Sequence, residues 1–307
     1  MTATANSFFF PWEISFIEAL QAHLPASVVP VVSTLSMFGE ELFMIFVIGL
    51  LYWGFDKECG RSVGLNVLIG TVWNPMIKNV ALRRRPYFES ERIRLLRIVT
   101  PGADIYNLSA QGYSFPSGHS TCAAGLFGSL AVWFRRRWLT VLCVLMPLLV
   151  GFSRVAMGAH FPTDILFGWL IGLAAIAFVS TLQKRVKSRP VFFGILLLLT
   201  LPGLFYCHSE DYFTCMGLLI GFLAAIPVEE KFVRFENTRS LPRVALRVAG
   251  GTAVFFALNA LLKLPFPSAF LSAHTTPSLL VRCGRYAVIS FTEFALYPML
   301  FKLTQKP

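Results

Sequence analysis

From Glu41 onward the chain alternates long apolar runs with short polar or basic breaks. A helix that crosses a bilayer needs about 20 apolar residues. Taken with their polar-poor flanks, the runs Glu41–Phe55, Val63–Val80, Thr121–Phe134, Trp138–Val155 and Ile165–Leu182 meet that length. Four more follow at Val191–Cys207, Tyr212–Val228, Val244–Leu262 and Tyr286–Phe301. The pattern predicts an all-α polytopic membrane helical bundle of about nine transmembrane spans. Upstream, the stretch from Phe8 to Phe38 carries Pro11, Pro25 and Pro30 together with Glu13, Glu18 and His23. It reads as an interfacial or half-inserted helix rather than a full span. No positively charged segment precedes it, so no cleavable signal peptide is expected and the first true span acts as its own insertion signal.

Composition agrees with the pattern. The 307 residues are 55% hydrophobic and 14% charged, with 30 Phe and a mean hydropathy of +0.64. Soluble domains carry about 25% charged residues. A net charge of +11 suggests nucleic acid, but its distribution argues otherwise. Of the 27 Lys and Arg, 16 fall on one side of the predicted spans: Lys57, Arg61, Arg135, Arg136, Arg137, Lys184, Arg185, Lys187, Arg189, Lys231, Arg234, Arg239, Arg243, Arg247, Lys302 and Lys306. The positive-inside rule makes that side cytoplasmic and the amino terminus external. Arg83, Arg84, Arg92, Arg94 and Arg97 crowd an outer loop, where anionic lipid headgroups explain them better than a nucleic acid does. The expected setting is the plasma (inner) membrane, with the loop facing the periplasm or exterior.

The six cysteines add little. Cys122, Cys143 and Cys283 lie in or beside apolar runs, where a thiol is a small hydrophobe. Cys207 and Cys215 flank the short turn His208–Phe213, which permits a disulfide, though no spacing rule identifies a pair. No CxxC or His-x-x-x-His pattern suggests a metal, so neither metal nor cofactor is expected. No internal repeat or low-complexity tract is present. The expected organisation is an interfacial segment at 1–39, a five-span core at 40–183 and a four-span extension at 190–303. The basic hinge Lys184-Arg185-Val186-Lys187-Ser188-Arg189-Pro190 joins the last two. The loop from Arg83 to Phe115, with Pro101-Gly102 and Gly112, reads as a structured cap.

Three short strings sit at the watery ends of the core spans: Lys78-x6-Arg85-Pro86, Pro116-Ser117-Gly118-His119 and Ser153-Arg154-x5-His160-x3-Asp164. In the first, seven residues are close to two helical turns, so Lys78 and Arg85 face the same way and Pro86 stops the helix. Arg grips two phosphate oxygens while Lys acts as a point charge; a snorkelling stop-transfer cluster is the plain alternative. In the second, Ser117 suits a helix N-cap, Gly118 lets the backbone approach a ligand and His119 enters the first turn. Free amides and the positive helix end then form an anion site, where a histidine can protonate a departing oxygen. In the third, Arg154 ends one helix, Gly158 permits a tight exit and Pro162 opens the next. Asp164 either complements the helix dipole or accepts one N–H of His160, freeing the other ring nitrogen to attack.

Together the three strings match, without departure, the three-part signature of the type 2 phosphatidic acid phosphatase superfamily, which this chain resembles over about residues 40–183. The resemblance implies a metal-independent phosphatase that works through a phosphohistidine. It makes His160 the nucleophile, Asp164 its orienting partner and His119 the general acid. Lys78, Arg85, Ser117, Gly118 and Arg154 then bind the phosphoryl oxygens. Phe38-Gly39-Glu40-Glu41 also resembles the opening of sphingosine-1-phosphate phosphatases over a short stretch. The expected partner is a lipid phosphate. A lipid phosphotransferase with the same residues, and a non-catalytic phospholipid transporter or receptor, are the alternatives. Outside the motifs, Asn74-Pro75 either kinks its span or bonds a neighbour, and His274 is expected to be solvated. Glu293, in the middle of the last span, is expected to pair with a buried donor.

Overall fold

The computed structural model describes residues 5–97 and 102–304, all helix, turn and coil; among them no strand forms, only an isolated bridge between Asn6 and Arg83. Pro101 of the expected Pro101-Gly102 turn and Lys306 of the basic side lie outside the described residues. In chain order the helices are α1 (Pro11–His23), α2 (Val29–Leu35), α3 (Glu41–Gly49, continued by a π-helical turn to Phe55) and α4 (Lys57–Ala81). Next come α5 (Gly118–Phe134), α6 (Arg137–Ala156), α7 (Pro162–Arg185) and α8 (Arg189–Thr200). Last are α9 (Glu210–Val228), α10 (Leu241–Leu261) and α11 (Thr276–Phe291), the last extended by π and 3-10 turns to Thr304.

Helical segments therefore stand at each expected run, but they differ in length. Among the described residues, α6, α7, α9 (with the π turn that ends at Val233) and α10 are long and apolar enough to cross a membrane. A fifth qualifies if the bent pair Val29–Gly39 and Glu41–Phe55 counts as one span. The shortfall has local causes. The run after α7 is a shorter apolar helix, Arg189–Phe205, whose last turn, Leu201–Phe205, is 3-10 and contains Pro202. The run after α11 passes into π and 3-10 geometry around Glu293 and Pro298. α6 exposes an apolar face, with Leu142, Leu145, Leu148, Leu149 and Phe152 all exposed.

The chain divides into two compact units, residues 1–44 with 73–177 and residues 45–72 with 178–307. In the first unit, α5 packs along α6, and both meet the 3-10 turn Ser36–Gly39. A core of Ile17, Tyr87, Ile93, Val155, Phe161 and Ile165 fastens α1 and the following loop onto the α6–α7 turn. Gln21 crosses the same junction: its side-chain amide Nε2 donates to the carbonyls of Arg94 (2.8 Å) and Ala156 (3.0 Å). In the second unit, α9 lies along α11. Tyr52, Trp53, Val233, Phe235, Val244, Val248, Tyr297 and Phe301 form its aromatic core. Buried Glu229 holds Lys57 at 2.9 Å and also pairs with Arg61, both from the start of α4. Cys207 and Cys215 are not bridged, and all six cysteines are thiols.

Candidate active site

The first motif does not run as one helix, contrary to the seven-residue spacing argument. α4 ends at Ala81, Leu82 takes the left-handed conformation (φ 52°) and Arg85 is extended (φ −80°, ψ 159°). The physical reason is Pro86, whose ring disfavours helical geometry in the residue before it. Arg85 reaches the site through the turn instead. It is buried, and its guanidinium donates to the carbonyls of Gly112 (3.0 Å), Gln111 (2.7 Å) and Ala159 (3.1 Å). Those bonds tie the cap loop to the residue preceding His160. Lys78, in the last turn of α4, is half-buried.

The second motif folds as its composition suggests. Ser117 is the N-cap of α5, its Oγ accepting from the Ser120 amide (3.4 Å) and hydroxyl (3.1 Å). Gly118 and half-buried His119 form the first turn, so the helix presents its unpaired amides and positive end there. Close approach of α7 depends on Gly168, where a Cβ would stand 2.7 Å from the Ser117 carbonyl oxygen. That contact lets the Ser117 amide donate to the Asp164 carbonyl at 3.0 Å, joining the second motif to the third. Asn74 Nδ2 donates to Thr121 Oγ1 (2.9 Å) and the Pro116 carbonyl (3.4 Å), so it bonds a neighbour while Pro75 sits inside a continuous α4.

In the third motif, Arg154 occupies the last turn of α6 and Gly158 (φ +69°) makes the exit. Arg154 is buried with its Nη1 3.5 Å from Ser36 Oγ; its Nε has no hydrogen-bond partner among the described residues. His160 is buried, with Nδ1 3.5 Å from Asp164 Oδ2 and 3.5 Å from Ser114 Oγ. Burial, followed by the charges of Arg85, Arg154 and Lys78, holds the His160 pKa well below the ordinary histidine value of 6.5. That field favours the neutral form of the ring, whose Nδ1 faces Asp164. The same field reaches His119, which feels Arg154, His160, Arg97 and Lys78. The eight expected residues converge within the first unit: three cations, a helix start capped by Ser117 and opened by Gly118, two imidazoles and the Asp164 carboxylate.

Three further residues complete the arrangement and were not expected. Ser114 donates its hydroxyl to Asp164 Oδ2, alongside the Phe161 amide at 2.8 Å. Arg83, read from sequence as a headgroup contact, is instead 2% exposed. It donates to Asp164 Oδ1 (2.7 Å), Thr163 Oγ1 (2.8 Å) and Glu13 Oε2 (2.9 Å). Its guanidinium lies 3.9 Å from the centroid of the Phe161 ring and 4.9 Å from that of Phe8. Glu13, fully buried on α1, also accepts from the Thr163 amide (3.0 Å) and hydroxyl (2.7 Å). The available signal was one arginine too many before Pro86. Arg97 departs from expectation as well, pairing with Glu40 and donating to the Ser33 carbonyl at 2.7 Å. Arg92 and Arg94 remain exposed. His274, as expected, is largely exposed, with Nδ1 3.7 Å from Glu210. Among the described residues no group of three or more His, Cys, Asp or Glu is placed to hold a metal ion.

Fold and site together define a helical membrane protein that gathers cations around two imidazoles, the constellation of phosphoryl-group chemistry. The chain belongs to the PAP2 superfamily: residues 60–188 match that family's model, and residues 213–306 match the model described as PAP2 superfamily phosphatase, transmembrane extension. It is 27% identical over 156 residues to an undecaprenyl-diphosphatase of Sulfolobus acidocaldarius, covering 50% of this chain and 68% of that protein. It is 32% identical over 84 residues to phosphatidylglycerophosphatase B of Bacillus subtilis (24% and 41% covered). Against a lipid A 4′-phosphatase of Bacteroides thetaiotaomicron the identity is 38% over 61 residues (20% and 27% covered). The matches thus span about two thirds of the first relative and less than half of the other two. No solved structure matches the chain significantly.

Proposed function

We propose that this chain is an integral-membrane lipid phosphatase, a phosphoric ester hydrolase that cleaves a phosphomonoester or diphosphate of a lipid through a phosphohistidine. The observation that carries the reading is the setting of His160, whose Nδ1 is turned to a buried carboxylate while three cations bear on the ring. With Nδ1 as the N–H, Nε2 keeps a lone pair for attack. Nε2 bonds to phosphorus as the bond from phosphorus to the lipid oxygen breaks, and the electron pair leaves with that oxygen. His119, at the start of α5, donates the proton that turns the departing oxygen into a hydroxyl. Lys78, Arg85 and Arg154, with the Ser117 hydroxyl and the amides from Gly118 onward, stabilise the equatorial oxygens. Water then attacks the phosphohistidine, giving its proton to His119, and inorganic phosphate leaves with His160 restored.

The relatives' names support a lipid substrate, and lipid diphosphates, phosphatidylglycerol phosphate and lipid A phosphates are the classes to try first. The expected architecture, nine spans with a core at 40–183 and an extension at 190–303, fits this reading, as does an active site at the periplasmic or outer face. Phosphate release from purified protein over that lipid panel tests the proposal. Turnover should appear with at least one lipid, survive EDTA and vanish in His160→Ala. Loss of activity in EDTA with rescue by zinc or magnesium would overturn the metal-independent mechanism. Binding of every lipid without phosphate release from any would favour a transporter or receptor.

A further inference from the structure

Glu293 departs from expectation in a way the phosphatase reading does not use. The anticipated donor is missing: both carboxyl oxygens lack a hydrogen-bond partner among the described residues, although the side chain is only 4% exposed. Glu293 lies in the π-helical turn Thr292–Leu296, a geometry that recurs at functional sites. It also lines a cavity of about 50 Å³ formed wholly within the second unit. By volume that space holds a few water-sized groups, and its walls are otherwise apolar: Trp53, Phe222, Phe255 and Phe294 with aliphatic residues from α3, α4, α9 and α11. The polar groups around it are already committed. The Ser290 hydroxyl donates to the Leu218 carbonyl (2.9 Å), and the Trp53 indole N–H to the Glu293 carbonyl (3.1 Å).

An unpaired carboxylate at membrane depth is strongly disfavoured, so the group carries a proton unless a cation stands beside it. No Lys, Arg or His pairs with it among the described residues. A metal ion would find one carboxylate and, among the described residues, no cluster of further donors. Aromatic walls around a single acid instead suit an organic cation, which gains ring-face attraction as well as charge neutralisation. We propose that this cavity binds the ammonium head of a single-chain lipophilic amine, which displaces the proton of Glu293. The half-buried Ile45, Leu68 and Phe294 mark the edge along which the hydrocarbon chain leaves. The site is separate from the phosphatase motifs, and its test does not depend on them.

The experiment uses the wild-type protein in detergent with dicyclohexylcarbodiimide, which labels carboxylic acids buried in apolar surroundings. The acid adds across a C=N bond of the reagent, its proton going to nitrogen, and peptide mass spectrometry locates the adduct. Glu293 should be labelled, Glu293→Gln should lose that adduct alone, and N,N-dimethyldodecylamine, a tertiary amine that the activated carboxyl cannot acylate, should protect severalfold while dodecanol at the same concentration does not. An unlabelled Glu293 overturns the proposal. So does equal protection by the alcohol, which would reduce the site to a hydrocarbon cavity, and so does no protection by the amine.

Discussion

His119 and His160 are chemically the same side chain placed on different elements. His160 is buried against Asp164 and Ser114, whereas His119 sits half-buried on the first turn of α5. In the proposed mechanism only the second meets the outgoing oxygen. His119→Ala should therefore lower kcat by about 10²–10⁴-fold for lipid monoesters, the usual worth of general-acid help. The loss should be much smaller for p-nitrophenyl phosphate or a diphosphate, whose leaving groups need no proton; an equal loss on all substrates would remove His119 from that role. The setting of His160 also fixes a pH dependence. Its charged form is disfavoured in the folded protein, so attack competence is present above the lowered pKa and lost as pH falls through it. The acid limb of kcat/KM, which reports the free enzyme, should lie below about pH 6.5, the ordinary histidine value. An acid limb above that value would contradict the depressed pKa.

At the scale of elements, the site is held by one buried ionic chain that joins α1, the end of α4 and the start of α7: Glu13, Arg83 and Asp164. Removing the central cation leaves two buried carboxylates facing each other. Arg83→Ala should therefore cost about 3–5 kcal/mol of stability, measurable as a fall in the denaturation midpoint, and should cost activity through Asp164. Glu13→Gln, which keeps the amide-accepting oxygen, should lose much less; if Arg83→Ala is as stable and active as wild type, the chain has no role in holding Asp164. This chain was the part of the site least legible in sequence. The motif residues announce themselves because Ser117 caps a helix, Gly158 turns the backbone and Asp164 follows His160 by one turn, all local relations. Glu13 meets Thr163 across 150 positions, and nothing local marks that pairing. The helical turns lost before Arg85 were misread for a related reason, since spacing assumes a regular helix and Pro86 ends one. The loop arginines divide on the same grounds. Arg97 is tied to Glu40 and Ser33, whereas Arg92 and Arg94 are exposed. Neutralising Arg92 and Arg94 should raise KM with little change in kcat, because uniform binding is lost. The effect should fade with salt, since exposed charges are screened over about 8 Å at physiological ionic strength.

For the molecule as a whole, the decisive question is which side of the membrane the phosphate site faces. The motif-bearing loop leads into α5 at Ser117, and the basic turn Arg135-Arg136-Arg137 follows the far end of the same helix. If α5 crosses, its two ends report opposite sides of the membrane, independent of how many other segments cross. On the Lys and Arg count the basic turn is expected to be cytoplasmic. A lipid phosphatase with that orientation would act on headgroups delivered to the outer leaflet, and the inorganic phosphate would be released outside. The test uses a background whose native cysteines are replaced. Ala110→Cys should react with an impermeant maleimide in intact cells, and Thr140→Cys should react only after permeabilisation. The reverse labelling would turn the site to the cytoplasm while leaving its chemistry intact. Labelling of both in intact cells would mean that α5 does not cross, and the phosphate site would then have to be reached from the same side as the basic turn.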